Sequence, residues 1–299
     1  MTTPAQRLLL VTADDFGIGP DTSRGILELG KLGVVTSTVL LVNSPFAAEG
    51  VAAWRAAGHP LELGWHPCLT IDAPVLPPDQ VPSLVNADGR FPRLGQLLKR
   101  IVRGRVNTAE VEAEWRAQFR RFVEMVGHPP ANVNAHHHVH IFRPIGEALA
   151  RILPAGTFVR RVVEPRRTLR RVPGARLKRA FLSHFGKKAL RRQEAAGFPG
   201  NDTLAGITDP PFVHAPDFFA RWLAATPGRF VELSCHPGHF DPTLDGRDGT
   251  IADGHMHRRA RELELLREPA FRDAVRDAGF RLVTAAEVVN GGCCSRRAA

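Results

Sequence analysis

The sequence predicts an α/β fold, a distorted or incomplete (β/α) TIM-like barrel of mainly parallel strands, on three observations. Strand-length apolar runs alternate with stretches of helical periodicity from Leu8 to Val283. A length of 299 residues suits one large barrel-type domain. Asp14 and Asp15, His66, His136 and His236 each stand at or just past the predicted end of a different strand, where such folds gather their chemistry.

The first element is the apolar run Leu8 to Ala13, which reads as a strand ending in Asp14-Asp15; Phe16-Gly17-Ile18-Gly19-Pro20 then turns into a helix from about Asp21. Val34 to Val42, rich in Val, Thr and Leu, is a second strand, and the alanine-rich 45–57 a helix. Leu61 to Trp65 is a third strand that delivers His66. Proline and glycine punctuate 67–95, which reads as a long loop or lid over a site. Val111, Trp115, Phe119, Phe122 and Val126 mark a helix over 109–126, closed by Pro129-Pro130. A short strand over 132–135, a helix over 144–152 and a strand over 157–162 follow. The second half of a basic segment, 176–192, reads as helical. Beyond it come a helix over 218–225, a strand over 229–234 leading to Cys235-His236-Pro237-Gly238, helices over 255–266 and 270–278, and a last strand over 280–283. The expectation is a single domain over 1–292 with a basic insertion at about 160–200, and a disordered tail over 293–299.

No apolar run approaches the roughly 18 residues that cross a bilayer, and Leu8 to Val11 is too brief for a signal peptide. The expected location is cytoplasmic, with peripheral contact at the inner membrane as an option. Cys68, Cys235, Cys293 and Cys294 make no disulfide framework in a chain this long, and the first two are expected as small buried hydrophobes. The net charge of +10 is concentrated: from Arg160 to Arg192 basic residues face the single acid Glu164 up to that point. Interleaved aromatics are sparse there and Tyr is absent from the chain, so no nucleic-acid partner is expected.

Asn134-Ala-His-His-His-Val-His140 gathers four histidines in five positions, a pattern for a divalent metal as much as for a solvated loop. Side chains on one face of a strand lie about 6.6 Å apart, whereas the ligands of one zinc sit about 3–3.5 Å from each other. One straight strand therefore does not supply three ligands, and a site assembled from several strand ends is easier. Asp15, His66 and one cluster histidine would give two imidazoles and a carboxylate, with positions left for water and substrate.

Four motifs carry a resemblance: Thr12-Ala-Asp-Asp-Phe-Gly17, Gly64-Trp-His-Pro-Cys-Leu-Thr70, the histidine run, and Cys235-His-Pro-Gly238. In this order and spacing the chain resembles the YdjC-like carbohydrate deacetylases. The resemblance implies Asp15, His66 and His136 as ligands of one divalent ion, Zn²⁺ by preference or Mg²⁺. It implies Asp14 as general base and a protonated His236 as general acid in removing an N-acetyl group from an amino sugar. His138, His140 and Arg160 are assigned to substrate contact, with plain packing an equal alternative for the two histidines. Where many relatives have Asp-Ser before the run, this chain has Asn134-Ala135. With Leu84 to Phe91, that variation is similar to the hopanoid-associated HpnK branch, which implies a glycosylated lipid, N-acetylglucosaminyl bacteriohopanetetrol. Soluble chitooligosaccharides are the alternative substrate. A protein that binds nucleic acid or anionic membrane around a structural metal is the alternative of another class. On the glycolipid reading, 176–192 would meet an anionic membrane through Leu177, Phe181 and Phe185, flanked by cations; the competing expectation packs those same residues on the barrel.

Overall fold

The structure is a computed structural model that describes residues 6–291, so the expected disorder of 293–299 lies outside the described residues. Eight strands are present among them: β1 (Arg7–Phe16), β2 (Ser37–Leu40), β3 (Glu62–Trp65), β4 (Asn132–Val133), β5 (Phe158–Val159), β6 (Thr203–Ala205), β7 (Phe230–Cys235) and β8 (Phe280–Leu282). Between them run α1 (Pro20–Lys31), α2 (Ala47–Ala56), α3 (Leu94–Val102), α4 (Thr108–Val126), α5 (Arg143–Ala150), α6 (Arg166–Arg171), α7 (Arg176–Ala195), α8 (Phe218–Ala225), α9 (His255–Arg267), α10 (Pro269–Asp277) and α11 (Ala285–Asn290).

Every strand pairing is parallel, in the order β5-β4-β3-β2-β1-β7-β6, with β8 also on β1. Parallel neighbours need crossovers, and the helices supply them. The apolar run of β1 is explained by its central place: Leu9, Leu10 and Val11 are fully buried. One edge of β1 pairs with β7 through Leu8 to Ala13; the other is divided, Arg7 to Leu9 meeting β8 and Thr12 to Phe16 meeting β2.

The predicted barrel is confirmed in its incomplete form. No strand ladder joins β5 to β6; instead the buried Asn201 side chain accepts from Arg161 N at 2.8 Å and donates to Arg161 O at 2.9 Å. That amide takes the main-chain groups a longer β5 would have offered a neighbour, so β5 is shorter than the sequence suggests. β3 and β4 approach so closely that a Cβ at Gly64 would lie 1.8 Å from Asn132 Oδ1. Segment 67–93 is the predicted long loop apart from one short 3₁₀ turn, whereas α3, α6, β6 and α11 are elements the sequence reading omitted. The basic insertion folds back as α6 and α7, and α7 packs on α5 and on the histidine run. Cys68 and Cys235 are free and buried, as expected. No helix among the described residues is long and apolar enough to cross a membrane.

Candidate active and metal centre

Adjacent residues of a regular strand point to opposite faces, yet Asp14 and Asp15 both line the same cavity. The register between β1 and β2 is irregular from Ala13 to Phe16, and Asp15 adopts φ 68°. That bulge swings the second carboxylate round beside the first. The histidine run is equally irregular. It follows the short strand as a 3₁₀ turn in which His137 and His138 take φ 53° and 57°, a coil that sends its imidazoles in several directions.

Asp15 Oδ1 lies 3.2 Å from His66 Nε2 and 2.9 Å from His136 Nδ1, and those two nitrogens are 3.4 Å apart. All three residues are buried. His66 Nδ1 sits 2.6 Å from the Asn134 carbonyl, which can only accept, so the ring's proton is on Nδ1. His66 Nε2 therefore turns a lone pair toward a carboxylate oxygen. Two lone pairs facing each other at 3.2 Å repel unless a cation lies between them, and the three separations match the edges of a tetrahedral ligand set. The backbone carbonyl behind His66 is the usual support of a ligating imidazole. These residues fit a divalent ion.

A layer of charge surrounds the trio. Arg259 Nη2 donates to Asp15 Oδ2 at 2.6 Å and to Asp248 Oδ2 at 2.8 Å, while Asp248 Oδ1 lies 3.3 Å from His136 Nε2. Burial opposes ionisation of Asp15, but Arg259 and His136 outweigh it and hold its pKa well below the usual carboxylate range. Burial likewise opposes charge on His136, and Asp15 and Asp248 reverse that, holding it well above the ordinary histidine value, so a divalent ion at Nδ1 would displace the proton that the two carboxylates favour. His137 and Asp248 can form a second donor group with His136.

Asp14 is held differently. Arg160 grips it with both nitrogens, at 2.6 and 2.9 Å, Ser234 Oγ donates at 2.9 Å, and Asn134 Nδ2 adds a contact at 3.3 Å. Burial works against its charge; Arg160 more than compensates, so Asp14 stays ionised far into acid. His236 Nε2 stands 3.9 Å from Asp14 Oδ2. Behind it Arg258 Nη2, which can only donate, reaches His236 Nδ1 at 3.0 Å, so the imidazole proton resides on Nε2. Burial and then Arg258 push the His236 pKa down to about 4. Glu262 ties this corner together, accepting from Arg258 Nε at 2.8 Å and from the His236 backbone N–H.

These groups form the floor of a cavity of about 550 Å³, walled by Leu94, Leu98, Phe142, Phe181, Leu182 and Ile207. Of the residues singled out from sequence, Asp14, Asp15, His66, His136, His138 and His236 line it. Arg160 and His140 do not, which corrects their assignment to substrate contact. Arg160 is fully buried between Asp14 and Glu232. His140 has both ring nitrogens committed to the main chain, at Ala135 N and Arg160 O. Both serve as supports beneath the floor. Asp248, in the loop before α9, was missed, and so were Arg258, Arg259 and Glu262, since α9 reads as a polar surface helix while burying those three.

Reactive groups assembled at strand ends over a closed polar floor, under an apolar mouth, define an enzyme built on an open (β/α) barrel. The chain belongs to the YdjC-like protein family, whose sequence profile matches residues 8–277. It is 31% identical over 285 residues to a chitooligosaccharide deacetylase of Klebsiella pneumoniae (strain 342), covering 95% of this chain and all of that one. A carbohydrate deacetylase of Enterococcus faecalis is 30% identical, with 93% and 97% covered. A crystal structure from Enterococcus faecalis V583, described as a cellobiose-phosphate cleavage protein, superposes with a TM-score of 0.76 at 26% identity, covering 95% of this chain and 99% of that one.

Proposed function

We propose that the chain is a metal-dependent N-deacetylase that hydrolyses the acetamide of an N-acetylglucosamine-containing substrate. The observation that carries this reading is the convergence of Asp15, His66 and His136 beside an arginine-held carboxylate, and the names of the relatives agree with it. A divalent ion held by those three residues would polarise the acetyl carbonyl and acidify water. Two imidazoles and one carboxylate favour Zn²⁺ over Mg²⁺.

The chain's own residues supply the rest. Asp14 is ionised at any working pH and takes the proton of the attacking water. Because Arg160 makes it a weak base, it keeps that proton only briefly and passes it to the departing nitrogen. His236 presents Nε2–H beside the same bond, and Arg258 works against an imidazolium. In this reading His236 hydrogen-bonds the departing nitrogen through Nε2–H and keeps its own proton, the transferred proton coming from Asp14, so it is not the protonated acid that the family resemblance implies. The products are a free amine and acetic acid, which ionises to acetate.

The finer reading is a glycolipid, an N-acetylglucosaminyl bacteriohopanetetrol, and it is favoured by the apolar wall, since Leu94, Leu98, Phe142 and Phe181 offer apolar surface that a lipid aglycone would bury. Such a substrate would bring the enzyme to a membrane surface. The second reading, soluble chitooligosaccharides, is favoured by the names of the curated relatives. Mass spectrometry of Zn²⁺-loaded protein incubated with each substrate tests both, with loss of one acetyl group expected. Intact substrate in both incubations would overturn the deacetylase, and equal rates on both would overturn the lipid preference.

A further inference from the structure

The catalytic reading leaves the basic segment unexplained. Residues of a helix advance by about 100° each, so in α7 Leu177, Phe181, His184, Lys188 and Arg191 fall on one stripe, and all five are exposed. Leu177 is 89% exposed and Phe181 46%. The packed face is a different one: Arg179, Leu182, Ser183, Gly186 and Ala189 are buried, with Arg179 gripping Glu164 and the carbonyls of Val172 and Gly174. α7 is thus anchored without Leu177 or the cations of its outer face.

Two further facts give that face a direction. Leu177 and Phe181 edge the mouth of the active cavity, Phe181 stacking on Phe142 and Phe185 at 6.3 and 4.9 Å. Phe212, 41% exposed, lies against Gly174 at the start of the same helix. Farther along, Lys187, Lys188 and Arg191 have no carboxylate within ion-pair distance among the described residues, although Lys178 pairs with Asp209. An exposed apolar end at a cavity mouth, continued by unneutralised cations, matches the layering of a bilayer interface, apolar below and phosphate above. Nucleic acid offers no apolar phase for a leucine this exposed.

We propose that the outer stripe of α7 docks on an anionic lipid bilayer and sets the cavity mouth against the headgroup layer. This rests on the glycolipid reading of the same site. A substrate would then pass from the bilayer into the cavity with its apolar portion still shielded by Phe181 and Phe142.

The test is co-sedimentation of the full chain with phosphatidylcholine vesicles, with and without phosphatidylglycerol, over a salt series. The wild type is expected to sediment with the anionic vesicles only, and less so as salt rises. Lys187→Glu/Lys188→Glu should bind about tenfold more weakly or worse, while keeping wild-type activity on a water-soluble N-acetylglucosaminide. Leu177→Glu should bind weakly at every salt concentration. Equal sedimentation of the wild type and the double charge reversal would overturn the proposal, as would retention of a single-stranded RNA at physiological salt without vesicle binding. If the wild type itself deacetylates neither the soluble glycoside nor the glycolipid, the deacetylase reading fails, and the vesicle binding of wild type against variant still decides the docking surface.

Discussion

Arg160→Met removes the cation that two buried carboxylates share. In the native chain Arg160 is fully buried and bonds Asp14 twice and Glu232 at 2.9 Å, with Asp14 and Glu232 each about 1% exposed. Methionine fills much of the volume but leaves both acids without a counter-charge, and breaking a buried pair from one side costs about 3–5 kcal/mol. Unfolding entropy of roughly 2.1 cal/mol/K per residue gives about 0.6 kcal/mol/K for a chain of this size, so the melting temperature should fall by about 5–8 °C. The pH dependence should also change. With Arg160 present Asp14 stays ionised far into acid, so the stability from its pairing is held above the usual carboxylate range and lost only as pH falls well below it. Without Arg160 burial dominates, the Asp14 pKa rises above its ordinary value, and the acid limb of deacetylation should move to higher pH than in the wild type. Scanning calorimetry with rate-against-pH profiles checks both. A melting temperature within about 2 °C of wild type, with an unchanged acid profile, would refute the claim that Arg160 holds Asp14 as a charged pair.

Three further outcomes are expected. Asp15→Asn and His66→Ala should each weaken Zn²⁺ binding by about two orders of magnitude or more by calorimetry, whereas Asp248→Asn, one contact removed, should cost about 10–100-fold; equal losses at all three would mean Asp248 is itself a ligand. Arg258→Met should raise the His236 pKa above about 4 and release the proton from Nε2, both read from ¹⁵N NMR of the ring; an unmoved titration would show that Arg258 does not set the tautomer. His140 is buried and its pKa is held down to about 4 by desolvation, against about 6.5 unfolded. The unfolded chain therefore binds the extra proton between those values, and stability should be present above about 6.5 and decline as pH falls to about 4. In His140→Asn that decline should shrink by up to roughly 3 kcal/mol in urea titrations; identical slopes would exclude His140 as its source.

What was legible in the sequence was local. Leu8 to Val11 running into Asp14-Asp15, and the apolar strand before His236, needed only residue type and period to place chemistry at strand ends. Asp248, Arg258 and Arg259 were illegible because their partners lie across the fold: Arg259 meets Asp15 from 244 positions away. The sequence of α9 is so rich in Arg and Glu that it reads as solvated, and only the closed structure shows those charges neutralising the floor of a cavity. The histidine run was visible but its shape was not, since two successive left-handed residues carry no glycine to announce them. Arg160 reads in the sequence as a substrate contact, and only its burial reveals a partner within the protein.

The divided edge of β1 bears on how the protein is made. Asp14 bonds Ser234 across 220 positions and β1 pairs with β7 and β8. At roughly 5–20 residues per second of synthesis, the strand that carries both aspartates waits on the order of ten seconds to a minute for its partners. Until then its apolar run and both carboxylates are unpaired on one side. The polar floor around Asp14 therefore completes only once β7 has been made, and β1 is the segment a chaperone would have to guard until then.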